Sequence, residues 1–402
     1  MWKKFFRPYP AIVTMYVFIF IGILSLIRLN LHFLDPFSHG VKDYDITDIV
    51  YSRLRKAHTA LDERIVVVNT GRPDRAVLAV MLQRIAEAKP KVIGVDVLFS
   101  GRQNPEADSA LQAVLKKWDN IVLASRLTNF REDLNRFETE TEVDTFFSHY
   151  ARTGYINFPS TETKTIRFFS PTENTREGPV ISFPAQIARL YDPVATQRLI
   201  KRNRKLERIH YTSTGDNFLQ FEPANILDST FDLRPMLEGK IVLIGYNDTY
   251  TDECPLLDKF YTPLNARYTG RSEPDMHGID IHANIIQMVL DKKYIFTVPG
   301  WLSFVLAVLY CYLNVIMLEG VHHRYPRLYH PIIRVLQVLE FTLLFFLLSF
   351  LFSAFRIKWD FTAGILALAL YFDVLLSYEA FFSSHQPWIN KIPKAFRGRL
   401  RE

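Results

Sequence analysis

Four apolar stretches, with a long mixed region between the first and the second, set the pattern of this chain. Residues 11–29 are apolar apart from Arg28, residues 297–318 are uninterrupted, residues 335–355 carry one charge at Glu340, and residues 361–382 are broken by Asp373 and Glu379. Each is long enough to cross a hydrocarbon layer as a helix, which takes about 20 residues. The region between them, residues 30–296, alternates short apolar runs with helical patterns. Residues 64–68, 92–99, 120–125, 154–158 and 240–245 read as strands, and residues 75–88, 107–118, 182–190 and 279–290 read as helices. In the last of these Ile279, Ala283, Ile286, Val289 and Leu290 recur at helical spacing, so this helix packs back on the strand before it. Strands alternating with helices predict a largely parallel sheet with helices on its faces. The expected fold class is therefore an α/β extracytoplasmic domain joined to a four-helix transmembrane part, one span before the domain and three after it.

Charge fixes the orientation. The chain carries 48 Lys and Arg against 42 Asp and Glu, a net charge of +6. Residues 30–296 hold 34 of those cations and 36 of the acids, so the ends keep 14 against 6 and carry the whole excess. That distribution argues against a nucleic-acid surface and for flanks that sit on membrane lipid. Lys3, Lys4 and Arg7 precede the first span, and His322, His323, Arg324, Arg327 and Arg334 lie between the second and third. Lys391, Lys394, Arg397, Arg399 and Arg401 follow the last. With the N-terminus inside, four spans return both basic segments to the cytoplasm and leave residues 30–296 and the turn 356–360 outside. No small-x-small cleavage site follows the first span, so it reads as an uncleaved anchor. The expected organisation is a cytoplasmic segment and anchor over 1–29, a periplasmic domain over 30–296, three spans over 297–390 and a basic tail over 391–402, all in the cell inner membrane. Cys254 falls in the soluble region and Cys311 in a span, so they do not pair and the domain folds without a disulfide.

Residues 238–294 carry the most specific pattern. Gly239-Lys-Ile-Val-Leu-Ile-Gly245 is followed by Asp258, Thr262-Pro263 and Met276-His-Gly-Ile-Asp-Ile-His-Ala-Asn284. This order resembles the C-terminal signature of the type-2 CHASE domain. Upstream, Lys91-Val-Ile-Gly-Val-Asp96-Val-Leu-Phe99 resembles that family's central strand, and Asp43-Tyr44-Asp45 its acidic start. The resemblance spans about residues 43–294 and implies an extracytoplasmic sensor domain of the kind associated with cyclases and histidine kinases. Two departures stand out: Asn69-Thr-Gly-Arg-Pro-Asp-Arg75 replaces the family's Ser-Leu and Trp-Pro segment, and His277 replaces a proline. Ligand identity does not carry over.

The candidate ligand-binding residues are Asp96, Asp258, Thr262, His277 and His282. Asp96 ends or interrupts an apolar strand, where parallel sheets present residues to a crevice; a cation of the fold is the alternative partner. Asp258 is either a ligand contact or an acceptor of backbone amides, in an acidic loop with Asp248, Asp252 and Glu253, and Thr262-Pro263 fixes the loop behind it. Asp275, His277, Asp280 and His282 form a D-x-H-x-x-D-x-H array of ligand-type side chains. A helix starting near Ile279 points Asp280 and His282 to different faces, so at most two or three converge, and no metal or cofactor is assigned. Six cations within residues 198–208 read as a solvated face or as a surface for anionic lipid or a partner. Asp373, in mid-span, must face other helices or water. Tyr310, Tyr312 and Asn314 are within reach as partners, Arg28 and Arg334 only by reaching inward, and its role is helix packing or transmission.

No Ser-His-Asp order, P-loop, Gly-x-Gly-x-x-Gly or kinase signature is present, so no enzymatic activity is expected. About twenty residues follow the last span, too few for a catalytic domain. The expected function is a membrane receptor that binds a small-molecule or envelope signal outside and acts through a separate cytoplasmic output protein, alone or as a homodimer. A non-enzymatic subunit of a transport or envelope-assembly complex is the main alternative, and an envelope hydrolase using the acidic loop is the third.

Overall fold

The computed structural model describes residues 8–26, 45–54, 60–71, 74–141, 143–159, 164–247, 258–265 and 273–384. The helices used below are α1 (Pro8–Leu26), α2 (Arg75–Glu87), α3 (Pro105–Lys117), α4 (Phe183–Tyr191), α5 (Pro193–Lys201), α6 (Gly278–Asp291), α7 (Gly300–Arg324), α8 (Tyr329–Phe355) and α9 (Thr362–Ser384). The strands are β1 (Asp62–Asn69), β2 (Val92–Val95), β3 (Ile121–Arg131), β4 (Arg136–Thr141), β5 (Arg152–Tyr155), β6 (Phe168–Phe169), β7 (Thr172–Thr175), β8 (Gly178–Ile181), β9 (Glu207–Arg208), β10 (Phe218–Phe221), β11 (Ile241–Gly245), β12 (Lys259–Phe260), β13 (Met276–His277), β14 (Phe296–Thr297) and β15 (Ile357–Lys358). The chain divides into two compact units, Pro36–Ile295 and Met1–Asp35 with Phe296–Glu402.

The α/β unit is built on a nine-stranded sheet of order β10-β1-β11-β2-β3-β4-β7-β8, with β5 also paired to β3. From β10 through β1, β11, β2 and β3 to β5 every pairing is parallel. Every residue of β11 is buried, and β11 lies between β1 and β2, with Ile244 opposite both Val68 and Val95. A strand covered on both faces needs apolar residues at every position, which is why Ile241–Gly245 shows no alternation. Helices cover both faces. Val66 and Val68 pack with Leu82, Ile85 and Leu111 of α2 and α3 on one side. Ile65 and Val67 pack with Phe183, Ile187 and Ile279 of α4 and α6 on the other.

The strand expected over residues 92–99 ends at Val95, where the Asp96 amide makes a last bond to the Ile244 carbonyl at 2.7 Å before the chain leaves the sheet. The polar extension formed by the β3–β4 and β7–β8 hairpins was not expected. Its strands, such as Arg136–Thr141 and Thr172–Thr175, have no apolar face, so they lack the periodicity by which a strand is recognised.

The expected helix at 279–290 is α6, and it is buried on more than its apolar side. Its polar face, Asn284 and Gln287, is sealed against the segment before β10 and against β1. Asn284 Oδ1 accepts from the Thr212 amide at 2.8 Å, and Gln287 Nε2 donates to Asp62 at 2.8 Å. The cationic run 198–208 is only partly solvated. Arg202 bonds Glu207 at 2.5 Å and buried Arg208 bonds Asp45 at 3.2 Å, while Lys201 and Lys205 are exposed. Arg167 holds Asp48 in a two-pronged contact of 2.5 and 3.1 Å, fastening the segment before β1 to the β6–β9 pair.

In the other unit, α1, α7 and α8 are long and apolar enough to cross a membrane, and α9 has a shorter apolar part, Thr362–Ser377. Val13 and Val17 of α1 share a core with Val315, Ile333 and Tyr371. β14 pairs in parallel with β15, and Ser303 Oγ accepts from Trp359 Nε1 at 3.1 Å close by. The partner of Asp373 is Arg334, at 2.7 Å. Arg334 reaches it from α8, and its guanidinium also lies over the Phe372 ring, 4.9 Å from the centroid. Of the other candidates, Tyr310 donates to Glu340 at 3.1 Å, the Asn314 amide donates to the Tyr310 carbonyl at 3.1 Å, and Arg28 lies outside the described residues. Cys311 is a buried free thiol in α7, and Cys254 lies outside the described residues, as do Asp248, Asp252 and Glu253.

Candidate functional site

A cavity of about 350 Å³ opens beyond the carboxyl ends of β2 and β5 and beside the middle of β3, lined by Asp96, Arg126, Ile156, Asn157, Phe158, Pro159, Ile166, Asp258, Phe260 and Gly278. This is where a parallel sheet leaves a crevice for a ligand. Asp96 forms the floor because β2 stops one residue before it. Its side chain is 9% exposed. Arg126 comes from β3, where Ser125 and Leu127 point inward and Arg126 is exposed at the rim. Asn157 braces this corner: Leu127 donates to its Oδ1 at 2.7 Å and its Nδ2 donates to the Leu127 carbonyl at 2.9 Å. The β12–β13 hairpin sets Phe260 opposite Met276 and brings its ring edge-on to Phe158, with centroids 5.3 Å apart.

Asp258 stands at the lip in a left-handed conformation, φ +53°, and its carbonyl accepts from the Gly278 amide at 3.1 Å. A Cβ at Gly278 would come within 3.1 Å of an Asp258 carboxylate oxygen, so the glycine leaves room for that side chain. Partial burial raises Asp258 to about 6, against the opposing pull of the Gly278 amide and Arg126. Burial, and then the charge of Asp258, push Asp96 up to about 7, with Arg126 again opposing.

His282 backs the floor. It is 3% exposed, stacked on Phe158 at 5.1 Å and met edge-on by Phe183 at 5.4 Å. Burial pushes its imidazole down to about 3, so it is neutral at physiological pH. Its Nε2 lies 3.9 Å from Asp96, beyond hydrogen-bond range, and gives that carboxylate no cation.

The remaining sequence candidates brace the hairpin rather than line the cavity. The Thr262 hydroxyl and amide both donate to Asp275, at 2.5 and 2.8 Å. His277 is buried before α6 with its ring edge-on to Tyr246. Asp280 turns the other way, toward Gly215. The four members of the D-x-H-x-x-D-x-H array thus face different neighbours, and no group of three or more His, Cys, Asp or Glu among the described residues is placed to hold a metal. Sequence reasoning missed Arg126, Phe158 and Phe260. The signal for the first two was available, because both fall at the carboxyl ends of expected strands, where Asp96 had been found.

Asp258→Asn separates the two acids. With no charge at the lip, the Asp96 carboxyl is expected to titrate below its wild-type value, read by carboxyl NMR or infrared difference spectra against Asp96→Asn. An unmoved Asp96 titration would mean that the two acids do not share one field.

No curated protein and no solved structure matches the chain. The family described as the CHASE2 domain matches residues 13–317. That match takes in the α/β unit together with most of α1 and α7, so it reaches beyond residues 43–294 into candidate spans on both sides. Several candidate membrane spans thus flank a sensory domain, as in a multi-pass membrane protein, and the chain belongs to the CHASE2 domain family.

Proposed function

We propose that this chain is a sensory receptor of the cell inner membrane. Its α/β domain lies in the periplasm and takes a signal molecule into the cavity floored by Asp96. Four helices carry the resulting shift to a separate cytoplasmic output protein, and the chain binds rather than transforms its ligand. One observation carries this reading: a buried carboxylate sits at the carboxyl end of a central parallel strand in a cavity with a charged rim. The orientation follows from the basic residues His322, His323, Arg324 and Arg327, which are exposed at the end of α7 and just after it, where a cytoplasmic partner and anionic lipid would meet them. The Arg334–Asp373 pair ties α8 to α9 and is one of the polar contacts, with Gln337 to the Leu368 carbonyl, through which a shift in one helix reaches the other.

Two measurements test the reading. Reporter fusions after Phe296 and Asp360 are expected to read periplasmic, and those after Arg327 and Arg401 cytoplasmic; a cytoplasmic signal at Phe296 overturns the placement of the domain. Ile166→Trp, which fills the cavity, is expected to change protease protection or crosslinking of the α7–α8 connection in membranes. Asp373→Leu is expected to blunt that change while inserting at least as well as wild type. If Ile166→Trp leaves the connection as in wild type, the cavity is not a sensing site.

A further inference from the structure

The charges around the cavity narrow what it can hold. Asp96 is nine-tenths buried, and among the described residues none donates a hydrogen bond to its carboxylate. A carboxylate in that position costs free energy until a donor reaches it, and neutral His282 at 3.9 Å does not supply one. Asp258 presents a second carboxylate to the same space, and Arg126 at the rim acts electrostatically on both. An anionic occupant would set like charges against the two acids, and an occupant with only positive charge would meet Arg126. A molecule bearing both signs can set its cation toward the two acids and its anion toward Arg126. Phe158 and Phe260 form an apolar corner for the rest of it. A cavity of about 350 Å³ suits a small molecule.

We propose that the cavity binds a small zwitterion, an amino acid with an apolar side chain, whose ammonium donates to Asp96 and Asp258, whose carboxylate pairs with Arg126, and whose side chain lies against Phe158 and Phe260. This inference rests on the reading of the cavity as the sensing site. Carboxylate–ammonium and guanidinium–carboxylate contacts are charge-assisted, and each is worth about tenfold or more in affinity when removed singly.

The test is calorimetric titration of the full chain in detergent micelles with alanine, valine, leucine and phenylalanine, and then with trimmed analogues of the tightest binder. The N-acetyl derivative, which has no ammonium, and the amide, which has no carboxylate, are each expected to bind about tenfold more weakly or worse, and succinate not to bind. Arg126→Gln is expected to erase the difference between the amino acid and its amide, and Asp96→Asn to abolish binding. The analogue series needs no variant, so a misfolded substitution does not decide the matter. Equal binding of the N-acetyl derivative, binding of succinate, or no binding by any of the four amino acids overturns the inference. If none binds and Ile166→Trp still alters the α7–α8 connection, the receptor reading stands and only the ligand class falls.

Discussion

Gly154→Ala is expected to destabilise the α/β domain by about 3 kcal/mol or more, a large share of the ~5–15 kcal/mol that holds a typical domain together. Gly154 lies in β5, paired with Ala124 of β3, and the first turn of α4 passes directly over it. A Cβ there would stand 2.6 Å from the Phe183 Cα and 2.9 Å from the Phe183 amide nitrogen. Backbone cannot rotate aside as a side-chain end can, so α4 must lift. Gly94 shows the difference: the nearest obstacle to a Cβ at that position is the terminal carbon of Ile187, a movable atom. Lifting α4 also shifts the Phe183 ring from His282, which backs the cavity floor. Thermal melts and limited proteolysis of the full chain in detergent check the expectation. The comparator is Gly101→Ala, which meets open space but a φ of +67° and should cost only about 1 kcal/mol. Similar losses in the two variants would show that the helix and strand are not in backbone contact.

Asp280→Asn is expected to raise stability by several kcal/mol at pH 8 but by only about 1.5 kcal/mol at pH 5. Asp280 stands in the first turn of α6, where an acid is ordinarily favoured by the helix dipole. Here it is 3% exposed, its Oδ1 has no hydrogen-bond partner, and burial, reinforced by the charge of Asp216, pushes it up to about 8. A folded value above the unfolded one means that the contribution to stability is fully present below about pH 4 and is lost as pH rises through 8. At ~1.36 kcal/mol per pH unit, the wild type loses on the order of 4 kcal/mol from this group between pH 5 and 8. Asp96, raised to about 7, adds in the same direction. Asp62, held low despite its burial by hydrogen bonds from Arg64, changes stability only in more acid solution, outside this window. Melting temperatures of wild type and Asp280→Asn at pH 5, 6.5 and 8 decide the matter, because their difference cancels the opposing rise from His282, held at about 3: a difference that does not grow with pH would contradict the assignment.

The parallel core and the apolar spans were legible because both are written as runs. A strand buried on both faces, such as Ile241–Gly245, needs no partner to be recognised, and neither does a stretch such as residues 335–355. The cavity was half legible. Asp96 and Asp258 stand out as acids against apolar or motif surroundings, but Arg126 is one arginine among many until β3 and β5 are side by side. The partner of Asp373 was named among the candidates but not favoured, for a related reason. Arg334 looked too close to the membrane boundary in a linear reading, and only the packing of α8 against α9 brings their side chains to 2.7 Å. Burial of Asp280 was illegible altogether, since it depends on Gly215 leaving room for the carboxyl from a distant segment.

The short parallel pairing of β14 with β15 works as a yoke. The Phe296 amide bonds the Arg356 carbonyl, and the Val298 amide bonds the Lys358 carbonyl, both at 2.9 Å. Phe296 leads directly into α7, whereas Arg356 to Lys358 close α8 and lead into α9. A pull applied at Phe296 therefore loads three helix ends at once. While the two bonds hold, α7 cannot slide along its own axis like a piston without dragging the α8–α9 turn, and displacement at this end is shared among α7, α8 and α9 as the tilting of a block.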